Sequence, residues 1–250
     1  MIMTQCWGKT RRLKKLKRNG YFCLLALDHG LTSGPLPGIS SIGEINNVIM
    51  FARKNLLPSV VINAGIVEKL ENFTYPNLVL QLMGMPSISK KRLGKVVVSS
   101  VDSAISIDAT AVSVQINFKT DDFQRVLKDI SLVVRDANRY SLPVLFMINH
   151  DDWESAKDFN FAVRVSIELG ADLIKVSLPS QKEIVDELQY FTDKHPPILL
   201  AGGGLSGKII DKVRIAKKLG FQGICIGRNF FQSNEPDKLL SELDSIFGEE

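Results

Sequence analysis

Gly170-Ala171-Asp172-Leu173-Ile174-Lys175-Val176-Ser177 is a short apolar run broken by one lysine, and how it is read decides the fold. Leu, Ile and Val without polar alternation describe a strand covered on both faces, the condition of a strand in a parallel sheet. Seven further runs of this kind punctuate the chain: Phe22–Leu27, Ser59–Ile62, Leu78–Leu82, Ala111–Ile116, Pro143–Ile148, Ile198–Ala201 and Gly223–Ile226. The stretches between them are amphipathic. Phe123–Tyr140 carries apolar residues at 123, 126, 127, 130, 133, 134 and 137, close to a 3.6-residue period. Phe161–Gly170 and Lys208–Gly220 both end on glycine, the common stop signal of a helix. Eight strands, each followed by a helical stretch, predict a single-domain (β/α)8 TIM barrel over residues 21–250, preceded by a short basic helix within residues 1–20.

Composition narrows the class. Of 250 residues, 45% are hydrophobic and 23% charged, which excludes disorder, collagen-like repeats and a disulfide scaffold. No apolar run approaches the ~18 residues of a membrane-spanning helix. Cys6, Cys23 and Cys225 are too few and too scattered for a zinc site or a disulfide framework. Cys23 and Cys225 are predicted to be small buried hydrophobes, and a reducing cytoplasm is the expected location. Seven of the net positive charges, Lys9, Arg11, Arg12, Lys14, Lys15, Lys17 and Arg18, stand in the first twenty residues with no acid. Subtracting them from the overall +4 leaves −3 for the rest. Such an arm suits nucleic acid or a transit peptide, but Leu13 and Leu16 at i, i+3 are better explained by a helix with solvated charges. No nucleic-acid or membrane partner is expected.

A barrel places its chemistry at the C-terminal ends of the strands and in the loops that follow. The first strand runs into Asp28-His29-Gly30, where Asp28 either points into the barrel mouth or caps the next turn. Lys175 shares a strand face with Leu173. It must reach the mouth, pair with an anion such as the nearby Asp172, or lose its proton. Desolvation disfavours an ammonium, and a neutral amine can attack a carbonyl to form an imine. Strand seven ends in Ala201-Gly202-Gly203-Gly204 and strand eight in Gly227-Arg228-Asn229. These two loops form the usual phosphate cradle of the architecture, with Arg228 supplying charge. The formal GxGxxG over 202–207 is no dinucleotide fingerprint, because too little chain follows it for a Rossmann sheet. His150 is a candidate proton-transfer group at the end of strand five. His195, Asp102, Asp108, Asp121 and Asp122 are predicted to be surface, capping or turn residues, and Trp153, Phe230 and Phe231 packing residues.

Taken together, Leu27-Asp28-His29-Gly30, Gly34-Pro35-Leu36-Pro37-Gly38, Gly170–Val176, Ala201-Gly202-Gly203 and Gly227-Arg228-Asn229-Phe230-Phe231-Gln232 resemble the DhnA, or archaeal-type, class I aldolases. That family includes archaeal fructose-bisphosphate aldolase and 2-amino-3,7-dideoxy-D-threo-hept-6-ulosonate synthase, and the glycine-proline loop looks closest to the synthase. The resemblance covers almost the whole chain, in order. It implies that Lys175 forms the Schiff base, that Asp28 moves protons, and that Gly203, Gly204, Gly227 and Arg228 hold a substrate phosphate. His29, Gln115 and Ser177 fall in the same pocket. It also implies a homo-oligomer, commonly a decamer. No motif calls for a metal or cofactor.

Three positions depart from the family pattern. Asn149 stands where the family has a proton-donating tyrosine, Gln115 replaces a histidine, and the lysine after the strand-seven glycines is absent. An amide cannot donate a proton as a phenol does. The expected function is a Schiff-base aldolase or transaldolase acting on a phosphorylated ketose or ketone and a small aldehyde, aspartate semialdehyde being the one the resemblance suggests. Thiolase-like acyl transfer on a phosphosugar, or silent phosphosugar binding, are the alternatives.

Overall fold

Successive side chains of a strand point to opposite faces, and here the two sets separate cleanly. The computed structural model describes residues 7–70, 76–87, 93–148, 153–188, 195–203 and 209–248. Eight parallel strands follow the predicted runs: β1 (Tyr21–Ala26), β2 (Ser59–Asn63), β3 (Asn77–Gln81), β4 (Ala111–Ile116), β5 (Val144–Ile148), β6 (Leu173–Val176), β7 (Ile198–Ala201) and β8 (Gly223–Ile226). Each pairs with the next, and β8 pairs with β1, Ile226 opposite Leu25, which closes the barrel. The chain is a single α/β domain with a TIM-barrel fold.

One parity faces inward. Phe22, Leu24, Ala26, Val61, Val79, Ala111, Leu145, Met147, Leu173, Leu199 and Cys225 form a closed apolar cluster inside the barrel. The other parity, including Cys23, Leu25, Val60, Leu80, Val112, Val114, Phe146, Ile174, Val176, Leu200 and Ile224, packs against the surrounding helices. Buried on both faces, the strands read as unbroken apolar runs for this reason. Cys23 and Cys225 are buried free thiols, and burial pushes them up to about 12 and about 11.

Helices fill the outer layer. Phe123–Arg139 buries Val126, Ile130, Val133, Val134 and Ala137 along one stripe. The helix expected from Phe161 starts five residues earlier, at Ala156, because the Ser155 side chain accepts from Asp158 N and caps it. No helix among the described residues is long and apolar enough to cross a membrane.

The basic arm closes the barrel floor. Trp7–Lys14 is a helix, and Leu16 just beyond it is fully buried within the interior cluster, with Leu13 packed alongside. Three of its seven charges are spent on the barrel: Lys9 Nζ donates to Asp172 Oδ2 at 2.6 Å, Arg12 to Ala109 O at 3.2 Å, and Arg18 forks onto Asp244. Asp172, weighed above as a partner for Lys175, is therefore committed at the opposite end. Asp122 also differs from its predicted capping role: its side chain accepts from Gly94 N and from Arg125 instead.

Leu16 seals the floor without a polar partner, so truncating it leaves a cavity. Leu16→Ala should lower the unfolding free energy by about 3 kcal/mol in urea titration. Leu132→Ala, on the exposed face of Phe123–Arg139, should change it by less than about 1 kcal/mol.

Candidate active site

The inward parity turns polar where the strands end. Continuing from Ala26, Val61, Val79, Ala111 and Leu173, the next inner positions are Asp28, Asn63, Gln81, Gln115 (past Ser113) and Lys175. Asp28, Gln115 and Lys175 floor a cavity of about 890 Å³ at the C-terminal mouth, whose walls include His29, Thr32, Lys95, Ser177, Gly203 and Arg228.

Asp28 is its centre. Its side chain is only 6% exposed, and Oδ2 accepts from Gln81 Nε2 at 3.1 Å and Gln115 Nε2 at 3.4 Å. Met83 N donates to Gln81 Oε1 at 3.1 Å, which fixes that amide with its NH2 toward the carboxylate. Asn63 Nδ2 donates to Asp28 O at 3.2 Å. Burial pushes the carboxyl up. The Lys175 ammonium, His29, the Gln81 hydrogen bond and Lys95 together outweigh it and hold Asp28 below the usual carboxylate range. The cap alternative for Asp28 is excluded by this embrace.

Lys175 enters from β6 between Met147 on β5 and Leu199 on β7, its neighbours in register. Its Nζ lies 4.0 Å from Met147 Sδ, and no carboxylate forms a salt bridge with it among the described residues. His29 Nδ1 stands 3.9 Å from Asp28 Oδ1, without a hydrogen-bond partner among the described residues. Burial, with help from Lys175, Arg228 and Lys95, lowers the imidazole against the pull of Asp28.

The glycine loops come close to the same space. A Cβ at Gly227 would stand 2.3 Å from Ala26 O and 2.6 Å from His29 Cε1, so only glycine fits there. Gly203 has φ +70°, and Lys212 Nζ lies 3.9 Å from where its Cβ would be. Arg228 Nε is buried and has no partner among the described residues. Among the described residues that line the cavity, Asp28 is the one acid against Lys95, Lys175, Lys182, Lys212 and Arg228.

The structure thus brings Asp28, His29, Gln115, Lys175, Ser177, Gly203, Gly227 and Arg228 to one mouth. Asn149, His150 and Gly204 lie outside the described residues. Trp153 is packed as predicted, its ring 4.9 Å from Phe159, and Nε1 donates to Ser177 O, steadying the loop after β6. Sequence reasoning missed Gln81 and Asn63, although each stands two residues beyond an inward valine and parity would have found them. It also missed Lys95 and Lys212, for which the sequence holds no signal.

The residue pattern of DeoC/LacD family aldolases matches residues 22–233. The chain belongs to this family. Its members are class I, Schiff-base aldolases, which are carbon–carbon lyases. This aldolase is 26% identical over 246 residues to 2-amino-3,7-dideoxy-D-threo-hept-6-ulosonate synthase 1 of Archaeoglobus fulgidus, covering 96% of this chain and 90% of the other. It is 26% identical over 253 residues to 2-amino-4,5-dihydroxy-6-oxo-7-(phosphonooxy)heptanoate synthase of Streptomyces griseus, covering 96% and 90%. An archaeal fructose-1,6-bisphosphate aldolase, solved with its catalytic lysine bound to a carbinolamine intermediate, superposes with a TM-score of 0.84 at 23% identity over 97% of this chain and all of that one. At that identity the superposition speaks for the fold.

The Gln81 bond is one of the interactions that keep Asp28 ionised. In Gln81→Leu the carboxyl should titrate at higher pH than in the wild type, read from its ¹³C chemical shift. The folded pKa of Asp28 is depressed, so its contribution to stability is present above the unfolded carboxyl value and is lost as pH falls through the folded one. In the variant that contribution should be smaller and its loss complete at higher pH.

Proposed function

We propose that this protein joins or parts a phosphorylated ketone and a small aldehyde through an imine on Lys175. One observation carries the reading: an amine inside a closed barrel, with no salt-bridge partner among the described residues, shares a cavity with a buried carboxylate that accepts hydrogen bonds from two amides. The Lys175 amine adds to the ketone carbon, water leaves, and the protonated imine draws electrons from the neighbouring bond, giving an enamine. Asp28 receives and returns the protons of these steps and steadies the cation. Gly203, Gly204, Gly227 and Arg228 hold the phosphate, which positions the carbonyl over the amine. The excess of cations around one carboxylate suits an anionic substrate.

A named relative supports this substrate class. The name of the Streptomyces enzyme describes a seven-carbon product with hydroxyls on carbons 4 and 5, a 6-oxo group and a 7-phosphate. Parting carbons 4 and 5 yields dihydroxyacetone phosphate and a four-carbon amino aldehyde acid, aspartate semialdehyde. Both are the first donor and acceptor to test. Silent binding explains neither a Lys175 without a salt bridge among the described residues nor the two amides hydrogen-bonded to Asp28, since a phosphate cradle needs neither.

Borohydride with dihydroxyacetone phosphate should add the mass of the reduced donor at Lys175, located by peptide mass spectrometry. Lys175→Ala should abolish both adduct and turnover. No adduct with any of a panel of phosphorylated ketones would refute imine chemistry. Arg228→Ala should raise KM for the phosphorylated donor about 10- to 100-fold, the worth of a charge-assisted contact. The dephosphorylated analogue should change little, and an equal rise for both would remove Arg228 from the phosphate site.

A further inference from the structure

Where the family pattern has a phenol, this chain has the Asn149 amide, and another group has to move the proton of the carbon–carbon step. Lys95 enters the mouth from the loop after β3, and its Nζ donates to Thr32 Oγ1 at 2.5 Å. Thr32 lies four residues beyond Asp28, in the helical turn Gly30–Ser33. The amine therefore spans from the β3 side to the β1 side of the opening, above the carboxylate. Lys95 and Thr32 line the same cavity as Asp28, Lys175 and the phosphate cradle, so a donor joined to Lys175 lies within one cavity with this amine.

The backbone of Lys95 is clamped from behind. Gly94 N donates to Asp122 Oδ1 at 2.6 Å, and Arg125 donates to Gly94 O at 2.9 Å and Lys95 O at 3.4 Å. Arg125 is itself held by Asp122 and Asp129. The next two residues, Val96–Val97, pair with Met83–Gly84, next to the Met83 amide that orients Gln81. A surface lysine has no need of such a mount.

We propose that Lys95 is the acid–base group at the aldehyde oxygen, an assignment that rests on imine formation at Lys175. In the cleavage direction its neutral amine takes the proton of the hydroxyl on the carbon β to the imine carbon. The C–C bond then breaks into the imine to give the enamine, and the hydroxyl carbon leaves as an aldehyde. In condensation the ammonium returns that proton to the forming alkoxide. The ionisable groups facing Lys95 are Asp28, Lys175 and His29, with Arg125 behind its backbone. Burial, with Lys175 adding and Asp28 opposing, lowers the amine from its usual value, which brings its neutral form toward working pH.

The test separates the partial reactions. Wild type, Lys95→Met and Lys95→Arg are assayed with dihydroxyacetone phosphate for borohydride trapping at Lys175, for exchange of the ketone's α-hydrogen with deuterated water, and for condensation with a panel of small aldehydes. Both variants should keep the adduct and the exchange while condensation falls at least about 100-fold. The wild-type condensation profile should contain an ionisation missing from the residual rate of Lys95→Met. Condensation by Lys95→Met within threefold of wild type would overturn the assignment. So would activity in Lys95→Arg within tenfold, since guanidinium keeps the charge but does not release its proton. Loss of the adduct in Lys95→Met would show that the residue serves imine formation or folding, and wild type that traps the ketone but condenses it with no aldehyde would also reject the role. A wild type that forms no adduct would instead fell the Schiff-base reading, and the Lys95 role with it.

Discussion

A carboxylate at the end of an apolar strand, sealed inside a barrel, has to be compensated, and most of the mouth is arranged around that need. Asp28 lost its water on folding, which alone would favour its neutral form. Gln81 and Gln115 give it hydrogen bonds from β3 and β4, while Lys175 and Lys95 supply opposite charge. Without the amides the carboxyl would lean more heavily on the two amines, one of which is proposed as the nucleophile. The pair of neutral donors leaves those amines without a salt bridge, a division of labour that salt bridges alone could not achieve.

The opposite end of the barrel is governed by the same accounting with a different answer. There the interior is closed by Leu16 and the apolar layer above it. The cations of the N-terminal arm stay at its edge, on Asp172, on a carbonyl, and on Asp244, which also accepts from Tyr21 Oη at 2.9 Å. Burial and that carboxylate push the Tyr21 phenol far up, so it remains a donor at any ordinary pH. Three of the seven basic residues that would suit nucleic acid are thus tied to the body of the protein. Charge is tolerated at the mouth because donors from several strands converge there, and is kept to the rim of the floor because none do.

The fold was close to fully legible. Strand runs named from apolar content match the observed strands within a residue or so, since both faces of each strand are covered and little polar patterning interrupts them. The site was legible in part. Lys175 and Asp28 stood out because a charged residue inside or at the end of such a run has few explanations. Gln81 and Asn63 did not, because an amide at a strand end looks like the start of a loop until its parity is counted. Asp122 looked like a cap and became a clamp, since the partner it chose, Gly94, lies 28 residues away.

What this chain determined by itself is the order of strands and helices and the identity of the amine set among aliphatic residues. Those are consequences of local periodicity, written into every few residues. Only the closed barrel decided which groups meet that amine. Gln81 and Gln115 reach Asp28 across 53 and 87 residues of sequence, and Lys95 leaves a basic loop to cross the mouth. Contacts of that range depend on closure and on loop paths, so no spacing along the chain could announce them.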